Sequence, residues 1–226
     1  MRGHPILYYS HFDQQYYLLN SVAFMSAIST DDLLNGYING IFPMAEADGT
    51  IYWYSPNPRA IIPIDTYKPS KSLRPILNKK YFDIRINTDF EGVMRGCALP
   101  RASEPGTWIS EEIIASYTAL HEIGYAHSVE AWREDRLVGG LYGVSINGVF
   151  FGESMFTIES NASKVAFHYL IQILKLNRFA LLDTQFINDN VLRYGAIEIP
   201  RDEYLDQLHM ALKLRRRFSA AVLSEL

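Results

Sequence analysis

Two polar residues, Asp183 and Gln185, interrupt an otherwise apolar run at residues 180–187. On a strand, side chains two apart point to one face and sit about 7 Å apart, so a carboxylate and a carboxamide share a surface. Groups of this kind orient a substrate by hydrogen bonding and take a proton from it. The plainer reading makes Asp183 a polar residue at a strand end, satisfied by backbone donors. Other combinations promise less. Gly152-Glu153-Ser154-Met155-Phe156 holds a glycine, an acid and a serine, but Phe156 ends what would be a Gly-x-Ser-x-Gly elbow, which argues against a serine hydrolase. Cys97 is the single cysteine and has no Cys-x-x-Cys or His-x-x-x-His neighbourhood. It reads as a small core residue, with no disulfide and no metal site expected.

Several elements must position the pair. Residues 127–133 alternate polar and apolar, Glu134-Asp135 supplies a turn, residues 137–146 are apolar and Gly-rich, and Asn147-Gly148 is a strong hairpin signal before residues 149–156. A three-strand antiparallel meander is predicted. Ala162, Val165, Ala166, Tyr169, Leu170, Ile173 and Leu174 recur at helical period, with Ser160 or Asn161 able to cap. Earlier, Thr30-Asp31-Asp32 predicts a helix start stopped by Phe42-Pro43, residues 51–54 a strand, and Ser55-Pro56-Asn57-Pro58-Arg59 a rigid turn. Residues 70–80 read as a short helix kinked or limited by Pro75, 81–87 as a strand, 90–98 as a helix, and 99–106 as a loop. Ser110 caps a further helix that ends at Gly124. Residues 197–200 form a strand, and a closing helix starts at Arg201. The Tyr-rich first 20 residues have no clear period.

This order is α+β, compatible with an acetyltransferase-like (GNAT-like) fold. The boundary falls near Ile62, giving a small N-terminal domain, 1–61, and a catalytic domain, 62–226. A chain of 226 residues with 48% hydrophobic residues and a net charge of −4 suits a globular protein. No run approaches the roughly 18 apolar residues of a membrane span, and the N-terminus carries no export signal, so a cytoplasmic location is the default. Asn161-Ala162-Ser163 matches a glycosylation acceptor, without force in a cytoplasmic chain. Two basic runs stand out: Lys68, Lys71, Arg74, Lys79, Lys80 and Arg85, and Lys213, Arg215, Arg216 and Arg217. Each is either a nucleic-acid contact or a solvated face.

An acetyl-CoA enzyme would set a Gly-rich turn before the long helix to receive pyrophosphate. Residues 157–163 contain no glycine and include Glu159, which speaks against coenzyme A. Gly40-Ile41-Phe42-Pro43, Trp53-Tyr54-Ser55-Pro56-Asn57-Pro58-Arg59, Gly106-Thr107-Trp108-Ile109, residues 121–130, Leu137-Val138-Gly139-Gly140-Leu141-Tyr142-Gly143-Val144, Phe151-Gly152-Glu153-Ser154-Met155-Phe156, Asp183-Thr184-Gln185 and Ile199-Pro200-Arg201 resemble, in order, the motifs of the leucyl/phenylalanyl-tRNA-protein transferases. Departures lie near the N-terminus. Ser26-Ala27-Ile28-Ser29 stands where the family has Gly-Gly-Asp-Leu, Met44 where a Trp is common, and Tyr54 for a second Trp.

The resemblance implies transfer of Leu or Phe from charged tRNA to proteins with N-terminal Arg or Lys, marking them for N-end-rule degradation, by a monomer without a cofactor. It implies that Gln185 accepts a hydrogen bond from the attacking amine while Asp183 polarises or orients that amide. Leu141, Phe150 and Met155 then line an apolar pocket or simply fill the core. Trp53 and Trp108 stack on the terminal adenosine or are core residues. Glu153 and Asn188 are expected to contact substrate, Glu153 holding either the donor ammonium or a cationic acceptor residue. Lys71, Arg74, Lys79 and Lys80 are expected to hold the tRNA backbone. The competing readings are a coenzyme A-dependent N-acetyltransferase and a non-catalytic tRNA- or acceptor-binding module.

Overall fold

The computed structural model describes residues 28–46, 48–100 and 107–221, together with the backbone of β1, Gln15–Tyr17. The rest of the Tyr-rich first 20 residues, and residues 101–106 of the expected loop, lie outside the described residues.

Local signals build most elements. Ser29 accepts from the Asp32 N–H and starts α1, Thr30–Ile38, with two aspartates in its first turn. Strands β2, Phe42–Ala45, and β3, Ile51–Ser55, pair antiparallel and complete a small sheet of order β1-β3-β2. Helix α1 has already ended at Ile38, with Asn39 as its C-cap and Gly40 at φ 74°, so Phe42-Pro43 opens a strand and does not itself stop the helix. Strand β4, Arg59–Ile61, leaves that sheet. Pro75 restricts the predicted helix over 70–80 to α2, Arg74–Asn78, because proline is tolerated only in a first turn. Then come β5, Asp83–Ile86, α3, Phe90–Ala98, and α4, Glu111–Glu122, capped by Ser110 as predicted.

The meander is β6, Ala126–Arg133, β7, Arg136–Ile146, and β8, Val149–Thr157. Its turns place Glu134 and Asp135 at φ 49° and 57°, and Asn147 at φ 53°, the left-handed values tight hairpins require. Helix α5, Ala162–Leu176, follows; Asn161 occupies the cap position at φ 71° without a side-chain capping bond. The strand predicted over 180–187 is shorter: β9 spans Leu181–Gln185. Helix α6, Asp189–Arg193, β10, Ile197–Ile199, and α7, Arg201–Leu212, complete the chain.

The main sheet is mixed and seven-stranded, in the order β10-β4-β9-β8-β7-β6-β5, with β8 and β9 parallel. Alternate residues of the strands feed two cores. Tyr142 and Phe151 join α1, α3, α4 and α7 in one; Leu141 and Phe150 join α5 in the other. Each fully buried large apolar side chain contributes roughly 1.5–3 kcal/mol by leaving water.

Two irregularities shape the site. The β7–β8 register runs Tyr142↔Ser154 and then Gly143↔Gly152, which makes Glu153 the extra residue of a bulge. Gly143 permits it, since a Cβ there would meet the Phe151 carbonyl oxygen at 2.3 Å. The β4–β9 register runs Ala60↔Gln185 and Ile61↔Asp183, so Thr184 is a second bulge, and Gln185 sits at φ 59°.

Candidate active site

Asp183 is fully buried, and every partner of its carboxylate is a donor. Arg59 meets it with both faces of its fork, Nε to Oδ1 at 2.9 Å and Nη2 to Oδ2 at 2.6 Å. The Tyr204 hydroxyl donates to Oδ2 at 2.7 Å, and the Gln185 main-chain N–H to Oδ1 at 2.9 Å. Arg59 also donates to the Gly40 carbonyl at 3.0 Å and is itself 1% exposed. Its guanidinium lies over the rings of Phe42 and Tyr204. A buried charge survives only when paired and hydrogen-bonded, and this pair saturates four donor positions. The predicted contact between Asp183 and the Gln185 carboxamide is absent. The carboxylate grips the main chain of Gln185, because the bulge at Thr184 breaks the simple two-residue alternation.

The Gln185 carboxamide turns instead to β8, where Nε2 donates to Glu153 Oε1 at 3.0 Å. The Tyr37 hydroxyl donates to the same oxygen at 2.7 Å, and a short hydrogen bond joins Tyr37 to Tyr117. No cation is dedicated to this carboxyl among the described residues. Burial pushes its pKa up to about 8; the Tyr37 hydrogen bond and distant Arg59 pull it down in part, and the negative Asp183 adds to the rise. Glu153 nonetheless remains partly accessible. Burial, then the Glu153 carboxyl, pushes the Tyr37 and Tyr117 hydroxyls well above their ordinary range, so both remain donors. Beside them the Tyr142 hydroxyl is buried and has no hydrogen-bond partner among the described residues.

The remaining expected residues fall in several places. Trp53 is a core residue, 5% exposed, its ring so close to α1 that a Cβ on Gly36 would meet it at 2.1 Å; stacking on a base is corrected to packing. Trp108 is half-buried at the edge of the same core. Leu141 and Phe150 are closed within the α5 core, whereas Met155 is partly exposed and lines a pocket. Asn188 spends its carbonyl oxygen capping α6, accepting from the N–H groups of Asn190 and Val191, and makes no contact with Glu153. Lys71, Arg74, Lys79 and Lys80 are exposed in and around α2, which Leu73 and Phe82 anchor to the body.

Sequence reasoning missed Arg59, Tyr37, Tyr117 and Tyr204. For Arg59 a signal was available: a cation directly before an apolar strand needs a buried anion, and Asp183 in its own apolar run was the candidate. The tyrosines offered none, since helical spacing marks them equally as core.

A mixed sheet that brings a near-neutral carboxyl and a carboxamide together just past the point where two parallel strands stop pairing is the equipment of a group-transfer enzyme. Comparison with known proteins narrows the group. The model of the leucyl/phenylalanyl-tRNA protein transferase family matches residues 61–209, and the model of that family's N-terminal domain matches residues 26–57. A leucyl/phenylalanyl-tRNA–protein transferase of Chlorobaculum parvum is 52% identical over 186 residues, 82% of this chain and 96% of its own. One from Gloeobacter violaceus is 51% identical over 187 residues, 82% and 95% of the two chains. Among solved structures, L-PGS from Bacillus licheniformis is similar at a TM-score of 0.38 and 16% identity, over 74% of this chain and 56% of that one. The chain belongs to the leucyl/phenylalanyl-tRNA protein transferase family, enzymes that move an aminoacyl group from tRNA to proteins.

Proposed function

We propose that this chain transfers Leu or Phe from charged tRNA to the α-amino group of proteins that begin with Arg or Lys, marking them for N-end-rule degradation in the cytoplasm, as a monomer and without a cofactor. The observation that carries the reading is the Glu153–Gln185 contact at 3.0 Å, with Glu153 pushed up to about 8. The donor ester is already activated, so the enzyme must position an amine and take one proton. The amine nitrogen bonds to the ester carbonyl carbon, the carbon–oxygen bond to the ribose breaks, and the ribose oxygen leaves with a proton.

Because Nε2 of Gln185 is committed to Glu153, its carbonyl oxygen is the atom left to accept from the attacking amine. An α-amine has a pKa of about 7.7 to 8.0, close to that of Glu153, and matched values favour exchange of the proton. Glu153 is thus assigned the proton, Gln185 the amine, and Asp183, itself held by Arg59, the placement of Gln185 through its main-chain N–H. Parallel β8 and β9 stop pairing after Phe151 and Asp183, which supports the acetyltransferase-like reading with domains 1–61 and 62–226. Met155 is assigned to the wall of the Leu or Phe pocket, backed by Leu141 and Phe150. Trp108 is assigned to the adenosine, Asn188 to substrate through its free amide nitrogen, and Lys71, Arg74, Lys79 and Lys80 to the tRNA backbone.

The test is transfer of radiolabelled Leu and Phe from charged tRNA to otherwise identical proteins beginning with Arg, Lys or Glu. Label is expected on the first two; absence of product from both donors overturns the reading, and label on the third removes the acceptor assignment.

A further inference from the structure

A pocket of about 690 Å³ opens between the end of β8, the start of α5 and α6. Its lining includes Lys68, Lys164 and Arg193 and not one aspartate or glutamate, in a chain that has 25 acids to 21 bases. None of the three cations takes part in an ion pair among the described residues, and all three are exposed. Ser163, 8% exposed, also lines the pocket, and its hydroxyl makes no hydrogen bond among the described residues. Concentrated positive charge outside any ion pair, beside a hydroxyl that can donate, is the requirement for holding an anion.

Two placements say which anion. Met155 in the wall lies two residues beyond Glu153 on β8, so the pocket adjoins the reacting centre. Ser70 and Leu73 in the opposite wall lead directly into α2 and its exposed Arg74, Lys79 and Lys80. Glu159, which would repel an anion, is instead held by Arg133 at 2.5 Å and Tyr81 at 2.9 Å. A polyanion whose reactive end is at Glu153 and whose body lies along α2 must cross this pocket.

We propose that Lys68, Lys164 and Arg193, with Ser163, form a phosphodiester subsite for the single-stranded 3′ end of the donor, one or two nucleotides from the aminoacyl ester. The subsite rests on the reading of the chain as a user of charged tRNA. Its charge also repels a cationic acceptor, which therefore approaches Glu153 from the α1 side.

The experiment uses the whole protein and three donors carrying Leu: adenosine, which has no phosphate, the trinucleotide CpCpA, and full-length tRNA. Arg193→Gln, Lys68→Gln and Lys164→Gln are expected to lower the trinucleotide-to-adenosine ratio of kcat/KM about tenfold each, the worth of one charge-assisted contact. Most of that change should appear in KM. The salt dependence of trinucleotide use should flatten by about 0.7 for each cation removed, the single-strand value. By contrast, Lys79→Ala with Lys80→Ala should alter use of full-length tRNA and not this ratio. An unchanged ratio overturns the subsite. Equal loss for adenosine and trinucleotide overturns it too, by assigning the three cations to the aminoacyl group, whose pocket shares the Met155 wall, and not to a phosphate. Competition by coenzyme A against the adenosine donor, relieved in Arg193→Gln, would give the phosphate site to a coenzyme. Binding of labelled, uncharged CpCpA is measured alongside. If it weakens in the variants while the wild type transfers nothing, the subsite stands and the transferase reading falls.

Discussion

Two carboxyls on neighbouring parallel strands have opposite surroundings. Asp183 is matched by a guanidinium, a hydroxyl and an amide N–H, all within 2.9 Å. Glu153, on the next strand, has a tyrosine hydroxyl and a carboxamide but no cation of its own. Asp183 faces the full positive charge of Arg59, whereas burial pushes Glu153 up with no such charge beside it. One group is thereby locked as part of the frame, and the other is left to titrate near neutrality. Sequence alone gives Asp183 the orienting of the Gln185 amide and Glu153 a substrate contact; the packing leaves Glu153, and not Asp183, as the carboxyl without a cation beside it.

The largest effect should come from separating Arg59 from Asp183. Arg59→Met leaves a fully buried carboxylate unpaired and is expected to cost roughly 3–5 kcal/mol of stability, read from denaturant unfolding. Adding Asp183→Asn should recover part of that loss. A single variant as stable as wild type would mean that Asp183 is not held as described, and the contrast between the two carboxyls would collapse.

Glu153→Gln should do the opposite, cutting the transfer rate by about 10² without lowering the melting temperature. The pH dependence carries the sign. Glu153 holds its proton in the native state up to about pH 8, whereas in the unfolded chain it loses it near 4.5. This group's contribution to stability is therefore fullest at low pH and declines as pH rises from about 4.5 to 8. Glu153→Gln should remove that decline; if the slope persists in the variant, another group carries it.

Gln185 separates frame from chemistry at a single position. Its φ of 59° costs a non-glycine residue about 1 kcal/mol or more, and the N–H that Asp183 accepts belongs to the backbone. Gln185→Gly should thus keep or raise stability by up to about 1 kcal/mol while slowing transfer roughly 10- to 100-fold. Destabilisation on the scale of Arg59→Met would instead assign Gln185 to the frame.

The smallest effect should come from a surface remote from both carboxyls. Lys79→Ala with Lys80→Ala is expected to leave unfolding curves within about 0.5 kcal/mol of wild type. The slope of tRNA binding against salt should shrink by roughly 0.9 for each phosphate that these lysines neutralise in the wild type. An unchanged slope removes α2 from the tRNA path.

Elements that short stretches of residues specify are those that local chemistry decides. Ser29 and Ser110 cap because their hydroxyls reach N–H groups three residues on. Asn147-Gly148 and Glu134-Asp135 turn because residues there accept positive φ, and the 3.6-residue stripe of α5 needs only one apolar wall. The collinear motifs that mark the family were equally local. Tertiary structure alone decided where β4 goes: it leaves the small sheet and inserts between β9 and β10, carrying Arg59 across 124 positions of sequence to Asp183. It also decided the two bulges, because a register shift is a property of a strand pair and leaves no period in either strand. Those shifts turn the Gln185 carboxamide away from Asp183 and bring the Glu153 carboxyl beneath Tyr37. The raised carboxyl of Glu153 is thus a product of long-range packing that lowers the local dielectric, a quantity no short stretch of residue types contains.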